Sequence, residues 1–223
     1  MAKELYILGL PGSGKSRAAR FIVEILEKNH RQVIRYNDFK ILKLLSEYDT
    51  DGQFKDPHPD AIFDVKQWSV FDVALKRLEQ VKLQEVVNNP VVTADKGRLT
   101  IIEFSRNNYE HAFSLLKRDF LKDAYYLHLD TPVVTCKERI RNRAANPVYE
   151  DDYPVSDFIF DTYYHSDDGG NLRVILRKYS IDESQVLTLP NNGTFEEIAP
   201  QIEDFIERIF AENVLIMPES VKR

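Results

Sequence analysis

Cysteine is almost absent. Cys136 is the only one in 223 residues, so no intrachain disulfide can form and a reducing compartment is the natural setting. Long apolar runs are missing too. The N-terminal run is too short for a signal-peptide core, and no stretch approaches the roughly 20 apolar residues of a membrane span. The expectation is a soluble, cytoplasmic protein with no membrane partner. The five histidines are scattered without metal-ligand spacing, which with a single thiol speaks against a zinc or thiol mechanism. A basic excess is lacking as well. Lysine plus arginine number 30 against 36 aspartate plus glutamate, a net charge of −6. Such a chain has no global attraction for a polyanion, so a nucleic-acid partner is possible through a local groove but not favoured. No internal repeat or low-complexity tract occurs. What is present is a 43% hydrophobic content, enough for one domain spanning 1–223 with its own core.

Glycine is scarce, eight in all, yet three of them fall in Gly9-Leu10-Pro11-Gly12-Ser13-Gly14-Lys15-Ser16. The segment matches G-x-x-x-x-G-K-[ST] in full. Glycines let successive backbone N–H groups turn inward around phosphates, Lys15 can reach the β- and γ-phosphates, and the Ser16 hydroxyl can hold Mg²⁺. An apolar run, Leu5 to Leu8, precedes the motif. Ala18, Phe21, Ile22, Ile25 and Leu26 follow at helical spacing, so the helix N-terminus faces the same anion. Gly9, Pro11, Gly12, Ser13, Gly14, Lys15 and Ser16 are therefore the candidate nucleotide-binding residues, with ATP and Mg²⁺ the implied cofactors.

Residues 4 to 10 read as a strand buried on both faces. Gln32 to Tyr36 reads as the second strand, and Asn37-Asp38 hands over to a helix carrying Ile41, Leu42, Leu44 and Leu45. Residues 49 to 60 read as a loop, a long helix is expected from about Phe63 to Val87, and a turn at Asp95-Lys96-Gly97 precedes the strand Leu99 to Phe104. Tyr109, Phe113, Leu116 and Phe120 mark one amphipathic helix. Ala124 to Leu129 is a further strand, and Thr131-Pro132 reads as N-cap and first position of the next helix. Residues 144 to 170 break the pattern and read as an irregular, mobile surface segment. Val186 to Leu189 is the last strand, and Thr194 to Glu197 fits a capping box that opens the final helix.

Five strands alternating with helices imply an α/β fold with a parallel sheet covered on both faces. In such sheets ligands bind beyond the carboxyl ends of the strands. Asn37-Asp38, Glu103 to Arg106, Asp130 and Asn191-Asn192 should then share one edge with the phosphate loop. Phosphoryl transfer needs charge neutralisation, an oriented nucleophile and exclusion of water. Asp38 is the candidate base or metal ligand, with a helix cap as the plain alternative. Glu103 closes an apolar strand where it can orient Mg²⁺, or it simply pairs with a cation; Arg106 lies three residues on. Asp95 could serve as Glu103 does, but reads as a turn residue. Arg139 and Arg143 share a helix face and can close over a triphosphate, while Arg141 points elsewhere. Trp68 reads as core rather than pocket lining.

With those residues in hand, the chain resembles the small-molecule kinase branch of phosphate-loop proteins, the nucleoside and nucleotide kinases and their relatives. GLPGSGKS looks like their phosphate loop. IIEFSR resembles the acid-arginine motif that such kinases place after the third strand, and LDTPVVTCKERIRNR looks like the fourth strand and lid helix of deoxynucleoside kinases. YNDFKIL is similar instead to polynucleotide kinases and zeta-type toxin kinases, whose matching aspartate, here Asp38, is the base. The resemblance implies a three-layer α/β/α phosphate-loop fold with sheet order 2-3-1-4-5 and an adenine loop near Asn191-Asn192-Gly193. It further implies a lid at about 139–170 that brings Arg139 and Arg143 to the phosphates. The span from about 38 to 98 exceeds a simple crossover and reads as an acceptor-binding insert. The expected activity is ATP-dependent transfer to a small acceptor of nucleoside or nucleotide type. A polynucleotide 5′-hydroxyl kinase, a toxin-like sugar-nucleotide kinase and a non-kinase nucleotide switch are the alternatives. The last lacks the N-K-x-D guanine motif of GTPases.

Overall fold

The computed structural model describes residues 3–55, 62–88, 97–149 and 152–211. Alternation of side chains along the strands decides the layers. In β1 (Lys3–Leu8), Leu5 and Ile7 face one side of the sheet and Tyr6 and Leu8 the other. β5 (Leu99–Glu103) and β6 (Tyr125–Asp130) repeat the pattern, with Leu99, Ile101, Tyr125 and Leu127 on the first face and Ile102 and Tyr126 on the second. Both faces need cover. On the first, α1 (Lys15–Lys28) supplies Ala18, Ala19, Ile22 and Leu26, and the C-terminal helix Ala199–Ala211 supplies Ile202, Phe205, Ile206 and Ile209. On the second, α3 (Ser69–Asn88) contributes Leu75 and Leu78, and the short helices Tyr109–Ser114 and Leu172–Arg177 contribute Phe113 and Leu176.

With β2 (Val33–Asn37) and β7 (Val186–Pro190), the sheet order is β2-β5-β1-β6-β7, every pairing parallel. Counting these five strands alone gives the expected 2-3-1-4-5 and three layers. Each crosses to its neighbour through a helix, so all five carboxyl ends lie on one edge. Asn37, Glu103, Asp130 and Pro190 end their strands there, beside the phosphate loop that follows β1. Among the described residues no helix is long and apolar enough to cross a membrane.

Several local expectations are corrected. The helix expected from Phe63 begins only at Ser69; Asp64–Val65 forms β4, which pairs antiparallel with β3 (Phe54–Lys55) inside the span read as loop. The Asp49 carboxylate folds that span by accepting the N–H groups of Gln53 and Phe54 at 3.1 and 2.8 Å, an Asx-type turn that competes with helix. Residues 56–60 of the loop and Asp95-Lys96 of the turn lie outside the described residues. The helix expected from Tyr109 to Phe120 is two pieces, α4 (Tyr109–Ser114) and α5 (Arg118–Leu121), because the chain tightens at Leu115 and Leu116 into i→i+3 bonds. The cap of α6 (Val133–Ala145) is Pro132, not Thr131, whose hydroxyl instead reaches the Ser13 and Asn191 carbonyls at 3.3 and 3.4 Å. Thr194 and Glu197 do bond, but around a 3₁₀ turn, Phe195–Glu197, and the α-helix starts at Ala199.

The largest correction concerns residues 144–170. Asp157–Thr162 is a helix, α7, capped by the Ser156 hydroxyl, which accepts from the Ile159 N–H. Ile159, Phe160, Tyr163 and Tyr164 are buried in a third apolar cluster with Val65, Val70 and Phe71. Ser156 also donates to the buried Asp64 carboxylate, joining the second half of the segment to β4. Acidic residues made the stretch look solvated, whereas its aromatics carry it inward. Trp68 is 37% exposed and stacks on Phe71, Phe158 and Tyr163 at the rim of this cluster, not in the core. The helix Leu172–Arg177, α8, had no counterpart in the sequence reading; with it the C-terminal helix is α9.

Candidate functional site

The phosphate loop is held from behind by groups far away in sequence. The Gly9 N–H donates to the Tyr109 hydroxyl at 2.7 Å, and Tyr109 is fully buried. Asp168 accepts the Tyr109 and Glu110 N–H groups at 2.6 and 3.1 Å, which seats the start of α4. The Asn191 amide donates to the Ser13 carbonyl at 2.7 Å, and its own N–H bonds Asp130 at 2.8 Å. Glycine is required at Gly12 and Gly14, as it is at Gly9. Gly12 has φ +82° and a Cβ there would lie 2.4 Å from the Cys136 carbonyl oxygen; at Gly14, φ +101°, it would lie 2.6 Å from the Asn191 amide.

Lys15 folds back over the loop, donating to the Gly9 and Leu10 carbonyls at 2.9 and 2.8 Å. Loss of hydration pushes its ammonium down to about 8, against the pull of Asp38 and Glu103. Behind the loop, burial lowers His128 and raises Asp167, while the Cys136 thiol is pushed up to about 11. That thiol is packed among apolar side chains and has no disulfide partner.

A cavity of about 340 Å³ opens from the loop, within the range of small-molecule sites. Lys15, Ser16, Asp38, Glu103, Arg139 and Arg143 all line it. Asp38 is not the helix cap. Asn37 is, accepting the Phe39 N–H at 2.8 Å, and Asp38 occupies the first turn of α2 (Asp38–Glu47), 6% exposed. Its carboxylate accepts from Arg106, which is 2% exposed and also donates to the Phe71 carbonyl at 2.6 Å. Arg106 therefore stands behind Asp38 and does not line the cavity. Glu103, 1% exposed, accepts from the Nε and Nη2 of Arg35 at 3.1 and 2.8 Å, and still borders the cavity. The structural pairing and the site position coexist.

Arg139 and Arg143 point into the cavity from α6, bonding the Gly193 and Tyr153 carbonyls at 2.8 and 3.3 Å. Arg141 points away and pairs with Asp157 at 2.8 Å. Asn191 is buried under the loop rather than in the cavity, and Asn192 is exposed. Reading the sequence missed Arg35, Tyr109 and the aromatic wall of Phe39, Phe63 and Tyr153. Arg35 had a signal: like Glu103, it interrupts an apolar strand, and β2 and β5 are neighbours. Tyr109 had none, because its role is made by a contact across 100 residues.

The oxygen set fits a hard cation. One hydroxyl, Ser16, and two carboxylates, Asp38 and Glu103, border one cavity, the open arrangement that suits Mg²⁺ shared with phosphate oxygens. Among the described residues no three His, Cys, Asp or Glu side chains converge as a closed metal site.

No protein-family model matches the chain, and no curated protein matches it in sequence. Solved structures resemble it in fold. That of APE1195 superposes with a TM-score of 0.54 at 14% identity, covering 94% of this chain and 97% of that one. The APS kinase of Mycobacterium tuberculosis, solved with AMPPNP and APS, gives a TM-score of 0.49 at 18% identity over 92% and 98% of the two chains. The shikimate kinase of Acinetobacter baumannii, solved with shikimate, gives 0.48 at 15% over 96% of each. The likeness to APE1195 extends to the fold alone, a five-stranded parallel sheet between two helical layers.

Proposed function

We propose that the protein is an ATP-dependent phosphotransferase that moves the γ-phosphate to a hydroxyl of a small acceptor of nucleoside or nucleotide type. One observation carries this reading: a buried carboxylate, Asp38, borders the same cavity as Lys15 and Ser16 and is fixed there by Arg106. In the reaction the acceptor O–H gives its proton to the Asp38 carboxylate as its oxygen bonds the γ-phosphorus, and the bond to the β-phosphate oxygen breaks to release ADP. Lys15 would leave the Gly9 and Leu10 carbonyls to meet the β- and γ-phosphates. Ser16 and Glu103 would hold Mg²⁺, which neutralises phosphate charge. Arg139 and Arg143 stabilise the charge of the transferred group from the lid, at about 139–170. The loop at Asn191-Asn192 borders the donor end, with Asn191 positioning Ser13 and the exposed Asn192 available to the adenine. Residues 38–98 form the acceptor side.

The test is transfer of labelled γ-phosphate to a panel of nucleosides, nucleotides and sugars. Asp38→Asn should reduce transfer by at least about 10²-fold while the affinity for a non-hydrolysable ATP analogue stays near wild type, both measured well below the variant's melt, which should itself drop because the buried Arg106 loses its charge partner. Full activity in that variant refutes the base assignment, and slow hydrolysis with no acceptor in the panel refutes the reading as a whole.

A further inference from the structure

Two neutral side chains border the cavity beside Asp38, and neither has spent its hydrogen-bonding capacity on the protein. Asn37 closes β2 next to Glu103 of β5 and lines the cavity. Its Oδ1 accepts the Phe39 N–H at 2.8 Å, which settles which end of the amide is oxygen. The Nδ2 donors are left with no acceptor among the described residues. Ser105 lines the same cavity and is 8% exposed. Its carbonyl is filled, accepting from Arg106 Nη1 at 2.5 Å and from the Tyr164 hydroxyl at 3.2 Å, but its hydroxyl bonds nothing among the described residues. Arg106 Nη1 donates to the Asp38 carboxylate as well, so one nitrogen ties Ser105 to the candidate base. Asn37 precedes that base in the chain. All three groups therefore border one stretch of the cavity.

Folding does not account for these groups. A helix cap uses only the Asn37 oxygen, and the great majority of buried hydroxyls in folded proteins have a partner. Asn37 Nδ2 offers donors, and the Ser105 hydroxyl offers a donor and an acceptor. A compound whose reacting hydroxyl lies at Asp38 satisfies both if it carries further oxygens on neighbouring carbons. A compound with one hydroxyl strips them of water and leaves them unpaired, which a site built to hydrogen-bond its substrate penalises. We propose that Asn37 and Ser105 form the recognition site of the acceptor, and that the acceptor is polyhydroxylated, its reacting hydroxyl flanked by at least one other. The inference rests on the phosphotransfer reading for the role of Asp38.

Calorimetric titration of the full chain, saturated with Mg²⁺ and a non-hydrolysable ATP analogue, reads recognition without turnover. The probes come in pairs that share a ring and differ in the flanking hydroxyls: myo-inositol with cyclohexanol, D-glucose with tetrahydropyran-2-methanol, and uridine with 2′,3′-dideoxyuridine. At least one polyol should bind at least about tenfold more tightly than its single-hydroxyl counterpart. Ser105→Ala should lower that ratio by at least about threefold, and so should Asn37→Ser, which keeps the helix cap. Ser105→Thr keeps the hydroxyl and should keep the ratio. In each variant the affinities for the ATP analogue and for the single-hydroxyl probe should stay within about twofold of wild type, a split that a general structural fault would not give. A ratio near one in every pair overturns the proposal. So does the absence of saturable binding by every polyol, or a preference that survives Ser105→Ala and Asn37→Ser together. A polyol that binds in this way but never receives phosphate would sink the phosphotransfer reading alone. Faster transfer to a single-hydroxyl probe than to its polyol would sink this inference alone.

Discussion

Lys15 offers the sharpest test of the donor site, because the structure displaces its ionisation into an accessible range. Its ammonium is pushed down to about 8 by lost hydration. Phosphate oxygens attract only the charged form. One unit below and one unit above that value, near pH 7 and pH 9, about nine-tenths and about one-tenth of the lysine is charged. Affinity for a non-hydrolysable ATP analogue should therefore fall about tenfold across that interval, ~1.4 kcal/mol. The direction follows from linkage: the bound phosphates raise the lysine's pKa, so binding takes up protons, and more of them as pH rises through 8. Two groups packed behind the loop lie outside this window. His128 is lowered from its usual value, Cys136 titrates near 11, and a phosphate's last ionisation, at about 6, is complete. Calorimetric titration in two buffers of different ionisation heat should give about half a proton absorbed per nucleotide at pH 8. Lys15→Arg, charged throughout, should abolish both the uptake and the step. A flat affinity from pH 7 to pH 9 with no proton uptake would refute the depressed lysine and the contact built on it.

Three further substitutions probe the supports of the site. Tyr109→Phe keeps the buried ring but removes the acceptor of the Gly9 N–H; it should cost about 1–3 kcal/mol in denaturant unfolding, and a loss below half a kcal/mol would show that the loop stands without it. Gly12→Ala places a methyl 2.4 Å from the Cys136 carbonyl at φ +82°, so the loop must shift and analogue affinity should drop at least about tenfold; unchanged binding in a titration would refute the tight approach. Arg106→Met leaves the Asp38 carboxylate buried without its partner, which should destabilise the fold by about 3–5 kcal/mol. Arg106→Met combined with Asp38→Leu should recover most of that loss, and failure of the double variant to do so would place the cost in packing rather than charge.

How much of this was legible follows from the range of each interaction. The phosphate loop and the five strands were readable because they rest on local terms, glycines at fixed spacing and apolar runs, whereas the strand order came from the resemblance to phosphate-loop kinases. That Asp38 and Glu103 would meet at one edge followed from the rule for parallel sheets, and the lid resemblance brought Arg139 and Arg143 to them. The helix α7 was hidden because Asp157 and Asp161 flank a short apolar face whose burial depends on Val65, Val70 and Phe71, distant in sequence. The late start of the helix at Ser69 was hidden for a related reason: Asp64 is tied to Ser156, a partner no window on residues 60–70 contains. The sequence by itself thus determined the phosphate-loop turn and the sheet edge beside which the cavity opens, since turn chemistry and periodicity are properties of neighbouring residues. Only the tertiary structure decided that Arg106 backs Asp38 and does not line the cavity, that Asn191 and Tyr109 hold the loop, and that Phe39, Phe63 and Tyr153 stack along the cavity wall. Those facts are set by which side chains desolvate one another, and desolvation is fixed only when the chain is packed.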